Sequence, residues 1–152
     1  MMNHDWSDDN YLSCLPSSQY PRTDKIRETL WYRGMLGYKL NSLQLMVRDT
    51  INKKIDDPLC NVMTFVNLCC RQFGKSYMGV VLALEDAIQN PGTCIYIFGP
   101  QKEQAMGIVS EKMKEITYDA PDGFIRPNER DYEWYIGDKK DESVIIPKPV
   151  KL

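Results

Sequence analysis

Residues 69–76, Cys-Cys-Arg-Gln-Phe-Gly-Lys-Ser, constrain the fold of this chain more than any other stretch. They end as a phosphate loop ends. The pattern for such a loop is a glycine, four residues, then Gly-Lys-Ser/Thr between a strand and a helix. Cys69 stands where the first glycine belongs, so the strict pattern fails at that position. The rest of the chemistry fits. Gly74 has no Cβ to hold a phosphate away from the backbone. Successive N–H groups of the loop, from Cys70 through Phe73 to Tyr77, lead into a helix N-terminus and together make an anion site. Lys75 would place its ammonium between β- and γ-phosphates, and the Ser76 hydroxyl would ligate Mg²⁺. Without that context the same residues would be a strand-to-helix turn with a surface lysine.

The flanking pattern supplies the context. Residues 61–69 (NVMTFVNLC) are apolar, rich in β-branched types and bounded by turn formers, which predicts a buried strand. A helix follows over residues 75–89 and is stopped by Asn90-Pro91-Gly92. Residues 93–98 (TCIYIF) predict a second buried strand, and residues 101–117 a helix with Ala105, Ile108, Val109, Met113 and Ile116 in one stripe. Strand, helix, strand, helix implies an α/β fold with a parallel pair of strands and a right-handed crossover. Upstream, Ile26, Leu30 and Trp31 predict a helix over residues 23–35, capped by Thr23 and ended by Gly34 or Gly37. A further helix covers residues 41–55, capped by Asn41 or Ser42, with Leu43, Met46, Val47, Ile51 and Ile55 as its apolar face. Downstream, residues 119–130 read as a loop, and residues 131–137 and 142–147 as two short strands joined at residues 138–141. The organisation is therefore a mobile leader (1–22), the first part of an α/β domain (23–118) and a loop with a β-hairpin (119–152), with the domain incomplete.

Composition narrows the class. A chain of 152 residues, 43% hydrophobic and 26% charged, suits one soluble globular domain. The net charge of −2 leaves no overall basic footprint for nucleic acid, so a DNA contact would be a local patch. No apolar run approaches the ~20 residues of a membrane span, which excludes a membrane partner by that route. The five cysteines lack zinc-like pairing, and Cys69 and Cys70 are expected as small buried residues at a strand end. His4, the one histidine, lies in the leader, so no Ser–His or Cys–His nucleophile system has support.

Arg71 and Gln72 ahead of Gly-Lys-Ser are the specific feature. The run Arg-Gln-Phe-Gly-Lys-Ser resembles the variant Walker A motif of phage terminase large subunits, the motors that pump DNA into proheads. In that family an Arg-Gln pair is typical, and a small residue often replaces the first glycine, which suits Cys69 and Cys70. Residues 36–47 are similar to the family's adenine-recognition segment, with Gln44 at the glutamine. A glutamine amide donates to and accepts from the adenine edge together. Residues 95–109 look like the family's second strand and helix, with Gln104 and Ala105 at its Gln-Ala, where packing is the expected role.

The resemblance, covering residues 36–117, implies a P-loop NTPase-type parallel sheet flanked by helices that binds ATP and Mg²⁺. It implies that Arg71 assists at the γ-phosphate, where an always-charged guanidinium reaches phosphate oxygens in pairs; the alternative for Arg71 is a solvated charge or an ion pair. Gln44 would read adenine, or else be an exposed helical glutamine. Tyr38 or Trp31 could stack on the base, although aromatic residues more often pack in cores. Double-stranded DNA, a portal, a small terminase subunit and further copies of the chain would be the partners, in the host cell cytoplasm.

A Walker B strand ending in an aspartate and glutamate is missing from the sequence, as are clustered acidic nuclease ligands. Glu85 and Asp86 follow an apolar run, but on the helix after the loop, about 15 Å from the phosphates at a rise of ~1.5 Å per residue. They are expected on a solvated face, as are Glu111, Lys112, Lys114 and Glu115. The resemblance thus implies a chain truncated before the Walker B strand, as a fragment, an interrupted gene or one part of a split protein. Such a chain would bind ATP without fast hydrolysis and would expose the apolar edge of strand 61–69. Two other readings stand beside it: another P-loop nucleic-acid ATPase of helicase type, and a non-hydrolysing nucleotide- or partner-binding protein.

Overall fold

The computed structural model of the chain describes residues 24–61 and 64–150. The leader, with His4 and Cys14, lies outside them, as do Val62 and Met63 of the expected first strand. The architecture is α/β, with one four-stranded sheet and helices packed against it.

The chain enters through α1 (Asp24–Arg33), which buries Leu30 and Trp31. Gly34 ends this helix at φ +65°. Its N–H donates to the Trp31 carbonyl at 3.0 Å, and the Met35 N–H to the Leu30 carbonyl at 2.9 Å. This is the paired closure that a left-handed glycine permits at a helix end. A single 3₁₀ turn (Gly37–Lys39) leads to α2 (Ser42–Ile55), capped by Asn41. After an irregular segment come α3 (Lys75–Gln89), β1 (Cys94–Gly99) and α4 (Lys102–Thr117). The strands β2 (Ile125–Asn128), β3 (Glu133–Ile136) and β4 (Ser143–Pro149) complete the fold.

The sheet runs β1-β4-β3-β2. β1 and β4 are parallel, with Cys94 opposite Val144 and Phe98 opposite Lys148. β3 is antiparallel to both β4 and β2. The sheet is therefore mixed, not purely parallel as the strand–helix alternation suggests. The physical reason is the tight 138–141 turn, which can join only antiparallel neighbours. The expected hairpin over residues 131–147 is present as β3 and β4, and β2 adds a strand where a loop is expected. Alternation along β1 turns Ile95 and Ile97 towards the core and leaves Cys94, Tyr96 and Phe98 exposed. Ile145, Ile136 and Trp134 continue the inner face, against Val80, Leu84, Val109, Met113 and Ile116 of α3 and α4.

Two expectations fail here. The segment before the loop is not a buried strand. Residues 64–70 form no ladder; Val66 is 81% and Leu68 94% exposed, Cys69 is half-buried and Cys70 exposed. Apolar and β-branched content gives a strand only if a neighbouring strand accepts its N–H and C=O groups, and none of the described strands lies beside it. The second failure concerns α2. Leu43, Met46 and Ile55 of the expected apolar stripe are exposed, while Gln44, Leu45 and Arg48 are buried.

Polar partners explain the rotated helix. Arg48 Nε and Nη2 donate to Glu85 Oε2 and Oε1 of α3, each at 2.8 Å. The Leu36 N–H donates to the same Oε1 at 2.8 Å. Glu85 is thus a buried, fully used carboxylate and not part of a solvated face. Burial alone would lower the Arg48 pKa, but the Glu85 hydrogen bonds and charge outweigh it and hold the guanidinium raised.

A second buried carboxylate, Asp119, gathers Lys39 Nζ at 2.6 Å, the Tyr38 hydroxyl at 2.9 Å and Trp31 Nε1 at 3.3 Å. The Lys39 ammonium lies 4.8–5.5 Å from the ring centroids of Tyr118, Tyr38 and Trp31. Trp31 and Tyr38 are therefore core residues and cannot stack on a base.

Glu85→Ala is expected to cost about 3–5 kcal/mol in urea denaturation, because it strands a buried guanidinium. Asp86→Ala, on the exposed face beside it, should stay within about 0.5 kcal/mol. Arg48→Met with Glu85→Leu should lose less than either single change, since no charge is then left unpaired.

Candidate functional site

The loop that ends in Gly-Lys-Ser is built by two left-handed residues. Gln72 has φ +65° and Gly74 φ +79°. The first is costly for a residue with a Cβ, and such strain persists only where neighbours fix it. Gln44 of α2 holds the two residues that follow Gln72. Its Nε2 donates to the Phe73 carbonyl at 3.1 Å and the Gly74 carbonyl at 3.4 Å. Its Oε1 accepts the Asn41 N–H at 3.0 Å, and its own N–H returns to Asn41 Oδ1 at 2.9 Å. One side chain thus closes the capping box of α2 and clasps the loop. A Cβ on Gly74 would lie 2.6 Å from Gln44 Nε2, so any other residue would push the amide off the loop in addition to straining the left-handed backbone.

Beyond Gly74 the chain turns into α3. Gly74 is the N-cap and gives no side-chain cap, and the Met78 N–H makes the first bond back, to the Gly74 carbonyl at 2.9 Å. The N–H groups of Lys75, Ser76 and Tyr77 have no acceptor within the helix, which is the condition for anion binding. Lys75 Nζ folds over the loop and donates to the Cys69 carbonyl at 3.0 Å and the Cys70 carbonyl at 3.5 Å.

A cleft of about 560 Å³ opens at this point. It is lined by residues 72–77, by Asn41 and Gln44 at the start of α2, and by Lys112 and Glu115 of α4. The structure therefore brings together Gln44, Gln72, Phe73, Gly74, Lys75, Ser76 and Tyr77 from the expected site. Cys70 and Arg71 are exposed outside the lining of the cleft. Asn41, Lys112 and Glu115 were not readable as site residues. Lys112 and Glu115 lie off the buried stripe of α4, and nothing in their spacing says that this side faces the loop.

Lys112 Nζ donates to Glu115 Oε2 at 2.8 Å and Glu111 Oε1 at 3.3 Å. The Glu115 bond chiefly raises the Lys112 pKa and keeps its ammonium charged. Tyr77, half-buried against the core, has its phenol pushed up from 10.0 to about 12, first by burial and then by the Glu115 charge. Its hydroxyl is a neutral donor over the whole physiological range.

Among the described residues no group of three or more His, Cys, Asp or Glu side chains could hold a metal. Ser76 is the one protein ligand that the sequence assigns to Mg²⁺, so the ion would come with the phosphates of a nucleotide. No helix of the described residues is long and apolar enough to cross a membrane. No protein-family model matches the chain, and neither does any curated protein or solved structure.

Gly74→Ala should lower stability in urea by about 1–2 kcal/mol through its left-handed backbone. Combining it with Gln44→Ala should cost less than the sum, because the clash at 2.6 Å is gone. The Tyr77 shift predicts a pH effect. A pKa raised on folding favours the folded state below about pH 10, and that contribution is lost as pH climbs towards about 12. Equilibrium unfolding of the wild type and Tyr77→Phe across pH 9–12 should show the wild type losing stability relative to the variant above about pH 10.

Proposed function

We propose that the chain is a nucleotide-binding protein of the phosphate-loop class, with residues 69–76 as its loop. Within that class, the best-supported reading is the ATP-binding part of a terminase large subunit, which couples ATP hydrolysis to the movement of double-stranded DNA into a prohead. The observation that carries the class is the cleft at the N-terminus of α3. There Gly74, Lys75 and Ser76 meet the unpaired N–H groups of the first helical turn. The Arg71-Gln72 pair ahead of them favours the terminase within the class.

In this reading the helix N–H groups and Lys75 receive the β- and γ-phosphates, with phosphate oxygens replacing the Cys69 and Cys70 carbonyls on Nζ. Ser76 contributes one oxygen to Mg²⁺, whose chemistry is to neutralise charge on the phosphates. Arg71, exposed beside the cleft, swings in at the γ-phosphate. Gln44 chiefly holds the loop, since both ends of its amide are engaged; contact with adenine would draw the amide off Phe73 and Gly74. DNA, the portal, the small subunit and further copies of the chain are the partners of such a motor.

A second reading, a nucleotide binder without turnover, is favoured by one observation. Among the described residues Glu115 is the only carboxylate lining the cleft, and it is already paired with Lys112. No free acid among the described lining residues is left to orient an attacking water.

Isothermal titration with Mg·ATP and a phosphate-release assay separate the two. Both readings require binding that Lys75→Ala weakens about tenfold to a hundredfold, as expected for charge-assisted hydrogen bonds. Phosphate release that Lys75→Ala abolishes supports the motor, and binding without release supports the second reading. No measurable ATP binding would sink both.

A further inference from the structure

The residues that line the cleft differ in chemistry, and the difference orients what binds there. The loop offers helix N–H groups, Lys75 and Ser76, which suit phosphate. Helix α4 contributes Glu115 and Lys112, beside Tyr77. Lys112 is shared between Glu115, in the lining, and Glu111, outside it. A phosphate cannot sit against the Glu115 carboxylate, because like charges at close range disfavour one another.

A neutral group with hydroxyls can. Lys112 occupies Glu115 Oε2, while Oε1 makes no hydrogen bond to any described residue. An ionised carboxylate is an acceptor only, so the groups it recognises are donors, and sugar hydroxyls are donors. Gln44 strengthens the argument by elimination. Its amide is consumed by the capping box and the loop, so contact with the nucleoside half falls to the remaining lining residues, Glu115 among them. Lining residues and volume match a ligand larger than a phosphate, since sites for small molecules run to ~300–1,000 Å³.

Resting on the phosphate-loop reading above, we infer that Glu115 is the ribose-binding residue of the cleft. It accepts hydrogen bonds from the sugar hydroxyls of a ribonucleoside triphosphate, with Lys112 holding the carboxylate in place. The pair fixes the direction of the nucleotide, phosphates to α3 and sugar to α4, and makes the site prefer ribonucleotides to deoxyribonucleotides.

Titration calorimetry on the full chain tests this with three probes: ATP, 2′-deoxy-ATP and inorganic tripolyphosphate. The wild type should bind ATP roughly tenfold more tightly than 2′-deoxy-ATP, as one hydrogen bond to a charged acceptor allows. Glu115→Gln keeps the size of the side chain on an exposed helix face. It should weaken ATP by about the same factor and bring ATP and 2′-deoxy-ATP to parity. Tripolyphosphate binding should hold or tighten. Glu111→Gln removes an equal charge from the same lysine but lies outside the cleft, and should leave the ATP preference unchanged. Equal weakening of ATP and tripolyphosphate by Glu115→Gln, the same loss in Glu111→Gln, or no sugar preference in the wild type would each overturn the assignment while leaving the phosphate loop intact. If the wild type binds neither ATP nor tripolyphosphate, the loop reading falls and the ribose assignment falls with it.

Discussion

Arg48 and Glu85 meet in the interior between α2 and α3, and much of the rest is arranged around that contact. Both carboxylate oxygens are bound by one guanidinium, and the Leu36 backbone adds a third bond. Two ions buried together are costly to desolvate, so the pair is a weak source of net stability, yet separating it is strongly unfavourable. That asymmetry makes it a register device. Arg48 can reach Glu85 only if α2 turns its Gln44–Arg48 side inward. With that rotation fixed, Gln44 arrives against Phe73 and Gly74 one helical turn earlier. The geometry of the loop is thus set by a charge pair one helical turn along α2.

This explains why the apolar pattern of α2 misleads. Leu43, Met46, Val47, Ile51 and Ile55 make a stripe that hydrophobic burial alone would turn inward. Burying an aliphatic side chain is worth about 1.5–3 kcal/mol, while an unpaired buried charge costs several. Once Glu85 is inside, its partner must follow, and Leu43, Met46 and Ile55 give way to solvent while Val47 stays packed against the core. The sequence offered no sign of this, because Glu85 and Asp86 look alike after the apolar run of α3, and only packing separates the buried one from the exposed one. Asp119 is a similar case: it follows a helix as an ordinary terminal carboxylate would, yet three donors from the α1 and 3₁₀ regions close on it.

Features set by local chemistry were legible. The limits of α3 follow from Gly74 before it and Asn90-Pro91-Gly92 after it. The end of α1 follows from Gly34, and the β3–β4 hairpin from its polar turn. The loop itself was legible as a motif, but its context only in part. The helix after it is present, whereas the described residues of the apolar segment before it form no strand and are largely exposed. A strand is a property of a pair, and residues 64–70 have no neighbour among the described strands. Sequence can show that a segment would suit a sheet, but not that a sheet edge is there to receive it.

The consequence for the site is mechanical. A phosphate loop stiffened by a sheet has its first residues held by ladder hydrogen bonds. Here the first residues are held by Lys75, which bonds the Cys69 and Cys70 carbonyls, and the last by Gln44. Lys75 is also the group that a phosphate would claim. In the proposed reading, ligand binding would therefore release the front of the loop by one exchange of hydrogen bonds on a single ammonium, while Gln44 keeps the rear clasped. Arg71, exposed and outside the cleft, would lie in the part that is let go, and the same exchange would give it the freedom to reach a γ-phosphate.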